Sequence, residues 1–73
     1  MFEGKEIVEV RYCESISKIA LLYKVDNKYK LHKTDVIDFD EAKEVARAYG
    51  FEGEVVKVGT DTVDRKKPLE AAA

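Results

Sequence analysis

Cys13 and His32 are the two side chains with nucleophile and base character near neutral pH. A thiol beside an imidazole can form a thiolate pair, but the chemistry also needs an oxyanion site and an enclosing pocket. A one-helix domain has scarcely any room to build either. Cys13 ends an apolar alternation, where a small buried residue is expected. His32 is expected on the polar side of a strand, beside Lys30 and near Leu22. The reading is therefore that the chain is not an enzyme.

Asp35, Asp38, Asp40, Glu41 and Glu44 form the densest acidic group, and oxygen-rich sites suit calcium or magnesium. From residue 35 onward, however, the alternating acids, central Gly and closing Glu of a calcium loop do not occur. Helix capping accounts for Asp38, Asp40 and Glu41. There is no Cys/His framework for zinc, no Gly-rich phosphate loop and no nucleophile elbow, so neither metal nor cofactor is expected.

Lysines give the stronger binding signal. Lys18, Lys24, Lys28, Lys30 and Lys33 cluster on or near one hairpin, with Tyr23 and Tyr29 interleaved. A two-stranded ribbon can enter a major groove while lysines contact phosphates, which makes Lys24, Lys28, Lys30 and His32, within residues 24–33, a candidate nucleic-acid patch. That half of the chain holds a single Arg, the residue most used to read guanine. Lysines on an edge strand also deter unwanted pairing.

The elements that must position these residues follow from periodicity. Residues 5–13 alternate as a half-buried strand, with Val8, Val10 and Tyr12 on one side and Glu9 and Arg11 on the other. Residues 14–17 read as a turn. Residues 18–25 satisfy helical spacing as well as alternation, but the turn formers that follow favour a strand and a hairpin. A three-residue loop of Asp26, Asn27 and Lys28 pairs Val25 with Tyr29 and Tyr23 with Leu31, keeping the large residues on one face. Asp38 and Glu41 then form a capping box for a helix over residues 39–49, and Gly50 ends it with Phe51 folding back. Its buried stripe is Phe39, Ala42, Val45, Ala46 and Tyr49. A strand over residues 54–58 follows, then a short strand around Thr62 and Val63.

The expected fold is α+β, a small and mostly antiparallel sheet with one helix on one face, in the order β-β-β-α-β. Residues 1–64 form the single domain, and residues 65–73 read as a flexible tail that ends partly in a cloning remnant. The helix-covered face would hold Val8, Val10, Tyr12, Ile19, Leu21, Tyr23, Leu31, Val56 and Val58. One helix covers one face, so Ile7, Ala20, Leu22 and Val55 are left on the other. Burying each aliphatic side chain contributes about 1.5–3 kcal/mol. These four residues are therefore the candidate face of a homodimer.

Composition bounds the rest. At 73 residues the chain is one domain with a marginal core. The longest apolar run, residues 19–23, is far below the roughly 20 residues of a membrane span, and the start of the chain lacks the pattern of a signal peptide. A single Cys excludes an internal disulfide and favours a cytoplasmic location. The absence of Gln and the single Asn, Met and Cys, against abundant Lys, Glu and Asp, suggest a thermophilic source. The formal charge of -2 is uneven. Over residues 11–33, Arg11 and five lysines face Glu14 and Asp26, a net of +4; over residues 34–64 the net is -6. The leading expectation is a small homodimeric interaction module that presents a sheet face or hairpin to a protein partner, with nucleic-acid binding through the lysine hairpin as the alternative.

Overall fold

The computed structural model describes residues 6–69. Lys5, the expected start of the first strand, and residues 70–73, read as part of a cloning remnant, lie outside them. The chain is an α+β protein with the expected order. The elements are β1 (Glu6–Cys13), a turn of 3-10 helix (Glu14–Ile16), β2 (Lys18–Val25), β3 (Lys28–Asp35), α1 (Phe39–Ala48), β4 (Val55–Lys57) and α2 (Thr60–Val63). The four strands form one sheet in the order β3-β2-β1-β4. β1 and β3 run antiparallel to β2, while β4 runs parallel to β1 after the α1 crossover.

Local signals set α1 as expected. Asp38 accepts a hydrogen bond from the Glu41 N–H at 2.8 Å, and Glu41 in turn accepts from the Ile37 N–H at 2.6 Å. This is a capping box whose second bond reaches one residue before the cap. At the other end Gly50 has φ +98°, the Gly50 N–H reaches Arg47 O and the Phe51 N–H reaches Ala46 O. Those two bonds make a Schellman motif. Ala42 and Ala46 are fully buried, and Phe39, Val45 and Tyr49 pack around them on a core of Val10, Tyr12, Ile19, Leu21, Val36 and Val55.

Which side chains share a face differs from expectation in three places. β1 shifts register between Ile7 and Glu9, so Val8 is an extra residue and Ile7 joins Val10 and Tyr12 on the α1 side. In β4, Val10 pairs with Val55, which puts Val55 in the helix-side core and leaves Val56 exposed. The hairpin turn has two residues, Asp26 and Asn27, at φ 52° and 63°, so that Tyr23 pairs with Lys30 and Leu22 with Leu31. Turn chemistry therefore prevails over the three-residue loop. Leu31 now falls on the second sheet face, where it is half-buried against Cys13, Ala20 and Val63.

Residues 58–69 supply that cover. In place of the expected short strand at Thr62 and Val63 there is one helical turn, α2, whose Val63 packs with Cys13 and Ala20 against Leu31 and Val58. Residues 65–69, expected as a free tail, continue across β1. Arg11 donates to the carbonyls of Thr62, Arg65 and Lys67, and Glu9 accepts from the Leu69 N–H at 2.9 Å. A segment with little structure of its own is thus held by side chains of β1.

Candidate functional site

The sheet separates the two residues that chemistry would pair. Cys13 lies under α2, whereas His32 pairs with Leu21 on the α1 side and meets Tyr49, its Nε2 at 3.4 Å from the phenol oxygen. Cys13 has hydroxyls for neighbours instead: Ser15 Oγ at 3.2 Å and Thr60 Oγ1 at 3.6 Å, themselves 2.9 Å apart. These hydrogen bonds, Ser15 first, lower the thiol pKa from its ordinary value, and burial opposes them. The thiol is 1% exposed, so no substrate reaches it in this arrangement.

Four of the five clustered acids have structural tasks. Asp35 pairs with Lys18 at 2.5 Å, Asp38 and Glu41 cap α1, and Asp40 pairs with Lys43 at 3.4 Å. Among the described residues no three Asp, Glu, His or Cys groups converge as metal ligands.

The four residues expected as a dimer face fall on two faces. Ile7 and Val55 belong to the helix-side core, while Ala20 and Leu22, on the opposite face, are fully buried within the chain. Two causes act together: the extra residue at Val8 reverses the parity of Ile7, and the segment after β4 covers what one helix could not. The contiguous apolar patch therefore does not exist in this form.

Of the candidate nucleic-acid patch, Lys28, Lys30 and His32 lie in a row on the α1 side of β3, all exposed, and Lys24 lies on the other side with its ammonium 5.5 Å from the centre of the Tyr29 ring. Two further lysines are engaged by acids, Lys18 by Asp35 and Lys33 by Asp64, each at 2.5 Å. The basic and acidic halves of the chain thus meet within the fold.

β3 is the outermost strand, and among the described residues no strand lies beyond it. Its outward main-chain groups over eight residues form an open edge. A strand added there would meet Lys28, Lys30 and His32 at alternate positions on one face and the half-buried Tyr29 and Leu31 on the other.

Two clefts of about 400 Å³ lie among the described residues. One, beside α1, is lined by Phe39, Lys43, Arg47 and Phe51 with Glu52 and Glu54. Its charges balance, and the Phe39 ring already has the Lys43 and Lys57 ammoniums 5.1 Å from its centre. The other lies between β4 and residues 68–69, where Val8, Val56, Pro68 and Leu69 meet.

Two residues important to this arrangement carried signals that sequence periodicity misreads. Arg11 and Glu9 sit on what alternation marks as the polar, solvated side of β1, yet Arg11 is fully buried. A charge in the middle of a central strand was the available signal.

No helix among the described residues is long and apolar enough to cross a membrane. Comparison with protein families, curated proteins and solved structures finds no significant match.

Proposed function

We propose that the protein is a small interaction module which takes an extended, acidic segment of a protein partner along the open edge of β3. The observation that carries this reading is the alternation on that edge. Main-chain hydrogen bonds would give affinity and alternate side chains specificity, as in other cases of strand addition. Acids at every second position of the partner suit Lys28, Lys30 and His32, and apolar residues between them suit Tyr29 and Leu31. The free thiol of Cys13 fits a reducing, cytoplasmic setting, and the charge-rich composition fits a thermophilic source.

The second reading, nucleic-acid binding, has the row of Lys28, Lys30 and His32 in its favour. It is the weaker of the two because acids engage Lys18 and Lys33. The two lysines of that row, Lys28 and Lys30, correspond to a slope of only about -2 in log affinity against log salt for duplex DNA.

A titration followed by amide NMR separates the two readings. The probes are a peptide of alternating Glu and Val, matched in length to β3, and a DNA duplex at low ionic strength. The proposal expects the peptide to shift and protect the β3 amides, and Lys28→Glu with Lys30→Glu to abolish the effect. Duplex binding without peptide binding would replace it with the second reading, and no response to either probe would overturn both.

A further inference from the structure

We infer that the segment of residues 59–69 is an exchangeable strap, and that the sheet face beneath it binds the same strap from a second copy of this chain. The grip on the strap is provided by the body: Arg11 and Glu9 bond its main chain, Lys33 pairs with Asp64, and Ser15 bonds Thr60. Each of these contacts joins a body group to a strap group, so another copy's strap presents the same partners. The strap has a single helical turn of its own, so its order depends on docking.

Opening has a defined hinge. Val58 is anchored to β1 by its N–H to Tyr12 O, while Gly59, the next residue, carries no side chain and stands in extended backbone just before α2. Release at that point uncovers Cys13, Ala20 and Leu31, an apolar strip that water leaves unsatisfied, and Arg11 loses three carbonyl acceptors. Local opening of this kind lies below global unfolding in free energy. Capture of a neighbour's strap restores the full set of contacts, and exchange of an identical element is a low-cost route to a dimer. The homodimer expected from an excess of apolar sheet would then arise on that sheet face by exchange.

The natural chain has its only thiol at Cys13, and Thr60 Oγ1 lies 3.6 Å from that sulfur. A second chain carrying Cys13→Ala with Thr60→Cys has its only thiol on the strap. Neither chain can form an internal disulfide, so a bond between position 13 of one and position 60 of the other is intermolecular, and strap docking raises it above the 13–13 and 60–60 bonds that random collision gives. The two full-length chains are mixed, incubated, oxidised, and mapped by peptide mass. Strap exchange expects a covalent heterodimer joined 13 to 60, with a yield that rises up to about tenfold for a tenfold rise in chain concentration. If Cys13→Ala weakens folding, Cys13→Ser in the same chain replaces it. Absence of that heterodimer up to the highest soluble concentration overturns the proposal, and so does a dimer by light scattering whose thiols do not join 13 to 60.

Discussion

The guanidinium of Arg11, fully buried on β1, donates through Nη1 to the main-chain carbonyl of Thr62 at 3.0 Å, 51 positions further along the chain. Glu9 lies 3.5 Å from the same guanidinium and also accepts from the Leu69 N–H. One cation and one carboxylate from the same strand therefore fix a segment that would otherwise leave half the sheet uncovered. The Nε of Arg11 lacks a partner among the described residues, so the arrangement does not satisfy the cation completely.

Removal of Arg11 is expected to be severe. Breaking a buried, hydrogen-bonded charge typically costs about 3–5 kcal/mol. Arg11→Ala is predicted to lower the chemical-denaturation midpoint strongly and to leave residues 60–69 undocked on a folded sheet. Arg11→Lys keeps the charge without the planar fork that reaches three carbonyls, and should retain the sheet while losing hydrogen-exchange protection at residues 60–65. An Arg11→Ala protein as stable as the parent would show that the strap is dispensable.

Leu22 provides the complementary test, because it was expected on an exposed dimer face and is instead fully buried. Leu22→Ala is predicted to lose about 2–5 kcal/mol. Ile37, 79% exposed, should change stability by no more than about 0.5 kcal/mol on the same substitution. Equal and small losses at both positions, read from urea midpoints, would mean that the second face is open.

Much of the fold was legible because its signals are local. Asp38, Glu41, Gly50 and Phe51 mark the ends of α1 within a few residues of where they act, and the alternation of β1 and β2 spans single strands. The face assignments were not legible from the same patterns. An extra residue at Val8 reverses the parity of everything before it, and alternation has no means of locating a bulge. The strap was hidden for a different reason, since its order comes from Arg11 and Glu9 more than fifty positions earlier. The open basic edge was visible as a lysine-rich hairpin; the pairing of Lys33 with Asp64 depended on the strap and was not.

The hairpin turn yields a sharper prediction than its composition did. Asn27 holds φ 63° between two paired strands, and an L-residue with an ordinary side chain costs roughly 1–2 kcal/mol in that conformation. Asn27→Val should therefore destabilise by at least about 1 kcal/mol, whereas Asn27→Gly should be neutral or slightly stabilising. A three-residue loop in solution would remove this contrast, and thermal unfolding of the two variants measures it directly.

Alkaline pH should reveal Tyr12 and Cys13 through opposite effects. Burial, with Glu14, Asp38 and Cys13 adding to it, raises the Tyr12 phenol above its usual 10.0. The unfolded chain then loses the Tyr12 proton first, so this contribution is fully present below pH 10.0 and falls away as pH rises through the folded value. Cys13 behaves in the other sense. Hydrogen bonds from Ser15 and Thr60 lower its pKa below 9.0, so the unfolded chain holds the proton longer and stability rises with pH between the folded value and 9.0. The predicted stability curve climbs toward pH 9.0 and declines beyond pH 10.0. Cys13→Ser should flatten the climb and Tyr12→Phe should reduce the decline, each measured against the parent by denaturant titration at matched ionic strength. A climb that persists in Cys13→Ser would assign it to another group and remove the hydroxyl cluster as its cause.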